Sequence, residues 1–415
     1  MSELLNVDTA LDNILDSVKT LPAETVSLPE AHNRVSADDI VSPIDLPPFD
    51  NSAMDGYALY SEDSIAASQS HPIALPVVMD ILAGSAPSGQ LQRDQAARIM
   101  TGAPVPAGAD AVIPVEDTDD DWVKGESGAV PNSVQLYRSL RRGENIRRAG
   151  ENIAQGETVM RAGTVIAPAE IGMLAGIGCA KVAVIRRPKV VILSSGDELV
   201  DVHGALEPGQ IRDTNSYTLA GLVRDAGGIP IRLPIAADTL ASIRALYRRA
   251  LEINPDLIIS TAGVSVGAAD LVRVVMDELG DIDFWRINMR PGKPLAFGTL
   301  QGVPFFGLPG NPVSTMVTFE VLARPALAKI AGREIRQRAI KATLAGDMTS
   351  DGRRSYNRVI LERNSNDIIA RSTGIQSSGA LMSMVLADGL AVIPEGATTL
   401  PAGAVVDVLL LRDLD

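Results

Sequence analysis

Three polar stretches rich in glycine and proline each directly follow a run of apolar residues. Ser194-Ser195-Gly196-Asp197-Glu198 follows Val190 to Leu193, and Ala262-Gly263-Val264-Ser265-Val266-Gly267 follows Leu257 to Ile259. Leu308-Pro309-Gly310-Asn311-Pro312-Val313-Ser314 follows Phe305-Phe306. Glycines let backbone N–H groups approach an anion, and loops that open helices present the favourable end of the helix dipole to it. The chemistry such loops suit is the binding of a phosphate-bearing ligand. One loop alone reads equally well as an ordinary strand-to-helix turn; three in succession favour the ligand. None is G-x-x-x-x-G-K-[ST], and no G-x-G-x-x-G follows a strand, so ordinary P-loop and dinucleotide chemistry are disfavoured. Arg290-Pro291-Gly292-Lys293-Pro294 sets a cation on each side of a Pro-Gly turn and can aim both charges one way. Taken alone it is a weak signal, since surface turns often hold Lys and Arg.

Upstream, Pro47-Pro48-Phe49-Asp50-Asn51-Ser52-Ala53-Met54-Asp55-Gly56-Tyr57 gathers acidic and amide groups, which also suit a solvated turn with Asx-type hydrogen bonds. Arg98 to Pro106 carries the same ambiguity. Arg141 to Arg148 is the strongest basic patch, or else a solvated face at a domain junction. Glu116 to Asp121 reads as a solvated turn, because like charges repel. The sole cysteine, Cys179, has no histidine beside it and reads as a small core residue; it leaves no intrachain disulfide and no multi-cysteine metal site. The three histidines, His32, His71 and His203, lie too far apart in sequence for a His-rich metal site.

The elements that must position these residues follow from the apolar spacing. Val7, Leu11, Ile14, Leu15 and Val18 predict an amphipathic helix over 7–18, with Asp8 near its N-cap. From about Pro43 to Ser139, short apolar runs punctuated by Pro and Gly predict a β-rich domain. After Lys181, strands (Val190 to Leu193, Ile229 to Ala236, Leu257 to Ile259, Leu295 to Thr299, Pro304 to Phe306) alternate with helices (Thr218 to Ala226, Asp238 to Leu251, Asp270 to Leu279, Val313 to Ile330). That alternation predicts an α/β layer with a mostly parallel sheet, whose ligands bind beyond the carboxyl ends of the strands. Val359 to Leu361, Ala391 to Ile393 and Val405 to Leu411 read as strands of a small all-β terminal domain.

At roughly 150 residues per domain, 415 residues suggest about three domains. A net charge of −14 and 3 % aromatics oppose a nucleic-acid binder. The 46 % hydrophobic fraction excludes a wholly disordered chain. Glu3, Asp8 and Asp12 without a basic n-region do not make a signal peptide, and no run approaches 18 apolar residues. A cytoplasmic, soluble, multi-domain protein is expected, with no nucleic-acid or membrane partner.

In their order, the Pro47–Tyr57 and Arg98–Pro106 stretches, Gly196-Asp197-Glu198, Gly263-Val264-Ser265-Val266-Gly267, Pro291-Gly292-Lys293-Pro294 and Gly307 to Ser314 resemble the MoeA family, the molybdopterin molybdenumtransferases related to the E domain of gephyrin. The resemblance runs from the N-terminal helix to the C-terminal β domain. It implies an α/β plus β, multi-domain fold: an N-terminal helix (1–26) docking on a MogA-like α/β domain (179–330), a linker domain in two segments (27–45 and 145–178), an inserted β-rich domain (46–144) and a C-terminal β barrel (331–415). It implies molybdenum cofactor biosynthesis: insertion of molybdate into adenylylated molybdopterin with release of AMP, supported by Mg²⁺, in a homodimer, with the molybdopterin adenylyltransferase as a possible partner.

By the same resemblance Asp55, Thr101, Glu198 and Asp238 are catalytic, and Asp55, Glu198 and Asp238 are the metal ligands. Ser195, Gly196, Asp197, Gly263, Val264, Ser265, Gly267, Asp270, Pro309, Gly310, Asn311 and Ser314 bind the pterin substrate. Arg290, Lys293, Arg358 and Ser378 bind molybdate, the last two closing the site from the C-terminal domain. Three positions depart from the family pattern: Ser195 stands for Thr, Ala262 for Gly, and Arg290 for Lys, a planar fork in place of a point charge. Two other functions stay open: molybdopterin adenylyltransferase, whose fold shares the second loop, and a gephyrin-like scaffold. An elongated dimer is expected, with Asp55 and Thr101 of one chain facing the α/β loops of the other.

Overall fold

Four successive apolar side chains can all leave water only in a strand covered on both faces, and Val190 to Leu193 lie within such a strand, Lys189–Leu193. In the computed structural model, which describes residues 4–120, 130–261, 269–335, 338–364 and 367–414, it runs parallel to Ile229–Arg232 on one side and Leu257–Ser260 on the other. Val303–Gly307 adds in parallel, and Pro294–Leu300 and Gly280–Arg286 complete the sheet as antiparallel strands. Helices cover both faces. Leu219 and Val223 of helix Thr214–Asp225 pack on Val190, Ile192 and Phe306. Ile243 and Tyr247 of helix Leu240–Glu252, with Val275 and Met276 of helix Ala269–Leu279, pack on Val191, Leu193 and Phe305.

Two features depart from the apolar pattern. Gly280–Arg286 is a strand that the spacing does not mark, because exposed Asp281, Asp283 and Arg286 interrupt its apolar positions. Paired with Pro294–Leu300, it makes the Arg290–Lys293 turn the tip of an antiparallel hairpin. The helix expected over Val313 to Ile330 is three pieces: α over Pro312–Thr318, π over Phe319–Ala323 and α over Arg324–Ile330. Pro325 has no N–H to give to the preceding turn and its ring crowds that turn, so the ladder re-registers just before it.

The N-terminal helix, Val7–Ser17, inserts Val7, Ala10 and Ile14 into the α/β core. Its cap is Asn6, not Asp8: the Asn6 side chain accepts from the N–H groups of Asp8 and Thr9. In the linker domain Ala23–Ser27 pairs with Lys181–Ile185 and Ile40–Val41 with Thr158–Met160. Its core joins Met160, Ile166 and Leu174 to Val182 and Val184, so it extends past residue 178, and the half-buried Cys179 packs against its edge.

The β-rich domain is a five-stranded sheet in the order Ala111–Pro114, Gly56–Leu59, Ala96–Ile99, Ile73–Ile81, Ser133–Leu136. Gly56 is required there, since a Cβ would fall 1.9 Å from the carbonyl oxygen of Ile113. In the C-terminal domain, Arg354–Asn364, Asp367–Ser372, Ala339–Leu344, Val405–Leu410 and Gly389–Ile393 pair in turn, and the last returns to the first, closing a five-stranded barrel. Met289–Arg290 runs parallel to Arg354–Ser355 outside the barrel. Tyr356, Met384 and Leu390 lie in the α/β core, so barrel and α/β domain share one hydrophobic interior.

Candidate functional site

The polar Pro47–Tyr57 stretch is more than a solvated turn. Asp55 immediately precedes the Gly56–Leu59 strand and Thr101 follows its neighbour Ala96–Ile99, so antiparallel pairing brings them together. Asp55 Oδ1 accepts from the N–H and the hydroxyl of Thr101, both at 2.7 Å. The second oxygen, Oδ2, accepts no hydrogen bond among the described residues and the pair is solvent-exposed. The basic patch is partly engaged by neighbours: Arg148 pairs with Asp50 and Arg142 with Asp110, while Arg138, just before the patch, pairs with Asp117 and Glu144. Within the acidic turn Asp120 accepts from the Tyr57 hydroxyl, so that carboxylate has a partner; Asp121 lies outside the described residues.

On the α/β domain the parallel register places the ends of Lys189–Leu193, Leu257–Ser260 and Val303–Gly307 side by side. Ser194 and Thr261 meet through their hydroxyls at 3.3 Å, and the Leu308 N–H donates to Ser260 O at 2.7 Å. The first loop is laced to the one after Ile229–Arg232: Gly196 N–H donates to Ala236 O at 3.1 Å, and Asp238 N–H to Asp197 Oδ1 at 3.0 Å. Glu198 and Asp238 therefore come from adjoining loops. Gly263, Val264, Ser265 and Gly267, with Ala262, lie outside the described residues, as does the side chain of Asp270. In the third loop Pro309 O accepts from Thr315, Gly310 O accepts from Asn215 at 2.7 Å, and Asn311 donates to Ser378 Oγ at 3.1 Å.

That last bond crosses to the C-terminal domain, where the two domains enclose a pocket of about 630 Å³. Arg290, Lys293, Arg358 and Ser378 all line it, together with Ser314. Arg290 and Lys293 arrive on the hairpin tip, whose Gly292 has φ +112° and would press a Cβ within 2.4 Å of Thr318 Oγ1. Arg358 comes from the long barrel strand that the Met289–Arg290 segment flanks.

Arg358 is 1 % exposed. Of the five N–H donors of a guanidinium, Nε donates to Ser383 Oγ and one Nη2 proton to Ser377 O, both at 3.2 Å. No carboxylate pairs with it among the described residues. Burial, and then the charge of Arg290, pull its pKa down to about 10. Gln376 fixes its backbone, accepting from the Arg358 N–H at 2.9 Å and donating to its carbonyl at 3.0 Å. Lys293 has no ion-pair partner among the described residues. The pocket thus offers cations and hydroxyls to a small anion. Asn357, Gln376 and Arg353 also stand in its wall, and no sequence motif marks them for it.

For a divalent metal the fit is partial. Asp238 Oδ1 is buried without a hydrogen-bond partner, a state that a bound cation would relieve. Yet among the described residues no three acidic, His or Cys side chains stand close enough to hold a metal ion. Asp55, Glu198 and Asp238 do not form such a cluster within one chain.

A glycine-looped α/β domain joined to a β barrel around a pocket lined by cations is the arrangement to be placed among known proteins. Comparison with known proteins gives the family. Residues 5–178 match the MoeA N-terminal region (domain I and II), 191–329 a probable molybdopterin binding domain, and 341–411 the MoeA C-terminal region (domain IV). The chain is 40 % identical over 392 residues to molybdopterin molybdenumtransferase 2 of Mycobacterium tuberculosis, covering 92 % of this chain and 94 % of that one. It is 36 % identical over 411 residues to the molybdopterin molybdenumtransferase of Haemophilus influenzae, covering 98 % of each. A crystal structure of the molybdopterin biosynthesis MoeA protein from Pyrococcus horikoshii superposes with a TM-score of 0.83 at 34 % identity, covering 99 % of this chain and 100 % of that one. The chain belongs to the MoeA family of molybdopterin molybdenumtransferases.

Proposed function

We propose that this transferase acts in molybdenum cofactor biosynthesis, inserting molybdate into adenylylated molybdopterin with release of AMP. The observation that carries the reading is Arg358, a buried cation with no carboxylate partner among the described residues, facing Arg290 and Lys293 across one pocket. Molybdate is a doubly charged tetrahedral anion. Charge-assisted hydrogen bonds from Arg358 on one side and Arg290 and Lys293 on the other would cover two of its faces, and the Ser378 hydroxyl a third.

The adenylylated pterin would lie along the loops at the strand ends, which adjoin the pocket through Asn311 and Ser378. There the Asn215-to-Gly310 bond and the Asp197-to-Asp238 bond hold the loop backbones in place, so the phosphoanhydride meets a preformed surface. Glu198 and Asp238 would hold a divalent cation such as Mg²⁺, completed by Asp55 of a second chain, with Thr101 orienting the Asp55 carboxylate. When bound, that cation neutralises charge on the phosphoanhydride oxygens. Water cleaving the anhydride then releases AMP as molybdate enters. The active form is a cytoplasmic homodimer, supplied with substrate by a molybdopterin adenylyltransferase. An adenylyltransferase reading leaves the barrel pocket without a task, and a pure scaffold leaves Arg358 without one. Incubation with adenylylated molybdopterin and Mg²⁺ tests the proposal: AMP should appear on addition of molybdate, whereas AMP release indifferent to molybdate would overturn it.

A further inference from the structure

Four cations line the oxyanion pocket, Arg290, Lys293, Arg353 and Arg358, against one acid, Asp347, whose Oδ1 already accepts from the Ala402 N–H at 2.8 Å. A second carboxylate reaches them from the edge. Asp351 grips Arg353, whose Nε lies 3.1 Å from both of its oxygens, and extends to Arg290 Nη1 at 3.9 Å. Among the described residues it is the carboxylate within ion-pair distance of the pocket's arginines. Arg353 in turn donates to Met289 O at 3.1 Å, the residue before Arg290. The acid is therefore anchored to the same strand segment that carries Arg290.

The two contacts of Asp351 differ in kind. With Arg353 the geometry is close and multiple. With Arg290 it is long, and the two side chains are 50 % and 41 % exposed, so this pair is weak and readily exchanged. We propose that Asp351 is a built-in competitor for the oxyanion: it occupies Arg290 until a dianion displaces it, and so limits how tightly the pocket retains molybdate. This rests on the pocket being the oxyanion site. A molecule that must pass molybdate on to a pterin gains from holding it loosely. Hydrogen bonds from Arg353 and its charge, with a smaller contribution from the charge of Arg290, keep the Asp351 carboxyl below the usual carboxylate range against the opposing effect of burial, so the competitor is ionised at neutral pH.

An electrostatic competitor leaves a signature that a structural residue does not. Released from Arg290 it stays beside the pocket, held by Arg353, and from there its charge repels a dianion about twice as strongly as a monoanion of the same shape. Calorimetric binding of molybdate and of perrhenate, a tetrahedral monoanion, to the full chain at low salt reads this directly. Asp351→Asn should bind molybdate about two- to fivefold more tightly, the size of an exposed ion pair, and gain less for perrhenate. Asp351→Glu should restore wild-type binding, and Asp351→Ser should repeat the Asn result if Asn disturbs the turn. Unchanged or weaker molybdate binding in Asp351→Asn and Asp351→Ser, with binding lost in Arg358→Ala, would overturn the competitor while leaving the pocket assignment standing. Equal gains for both anions would also overturn it. Absence of molybdate binding in wild type and Asp351→Asn alike would overturn the pocket assignment and the competitor with it; binding by Asp351→Asn alone would support both.

Discussion

Keeping a guanidinium 1 % exposed with no carboxylate paired to it among the described residues costs stability that a neutral side chain would spare. Arg358→Met should therefore leave the thermal midpoint unchanged or raise it. The same variant should need about 10- to 100-fold more molybdate for half-maximal AMP release, the range for losing one charged hydrogen bond. Its affinity for the pterin nucleotide should change little, because the loops that bind it are intact. A drop in midpoint together with an unaltered molybdate response would place Arg358 in the scaffold instead. Asp55 makes the opposite case. It is exposed and its partner Thr101 is exposed as well, so Asp55→Asn should melt as wild type does. AMP release should fall by about 10²-fold or more, as when charge stabilisation at a reacting centre is lost; near-normal turnover would remove Asp55 from the site.

At the scale of elements, the N-terminal helix ties the α/β domain to the barrel. Lys329 Nζ donates to Leu15 O at 2.7 Å, and Arg354 forks onto both oxygens of Asp8 at 2.6 and 2.7 Å. Hydrogen bonds from Arg354 hold the Asp8 carboxyl below the usual range, which makes the pair a pH-dependent contribution. A depressed carboxyl stabilises fully above its unfolded pKa of about 4 and is lost as pH falls through its lower folded value. Asp8→Asn should lower stability at pH 7 by less than about 1 kcal/mol, since Asp8 is largely exposed. Near pH 2 it should match wild type, and urea melts at the two pH values check this. Because Tyr356, Met384 and Leu390 share the α/β core, cutting the chain near Ile330 would expose that core, so point variants test the barrel more cleanly than its removal.

Much of this architecture could be read in advance where burial imposes a period. The runs at Val190, Leu257 and Phe305 are strands, and the polar loops after them lie at one edge because the strands are parallel. What escaped was set by partners distant in sequence. Gly280–Arg286 carries acids on its open side and is a strand because Pro294–Leu300 pairs with it. Gln376 stands two residues before Ser378, but its grip on the Arg358 backbone appears only once the barrel closes.

For the whole molecule, the question is where the acidic residues meet. Asp55 belongs to the β-rich domain, Glu198 and Asp238 to the α/β loops, and among the described residues of one chain they form no metal-holding group. A two-fold dimer that sets the β-rich domain of one chain against the loops of the other would unite them. Mixing Asp55→Asn chains with Asp270→Asn chains should then restore part of the activity each lacks alone, through mixed dimers in which one of the two sites is intact. No rescue after verified subunit exchange would place each site within one chain. Coupling of molybdate insertion to anhydride cleavage is read directly by the ratio of molybdenum bound in the pterin product to AMP released, taken over a molybdate titration. One molybdenum per AMP is expected at every molybdate concentration, and AMP released without molybdenum entering the product would rule out coupled insertion.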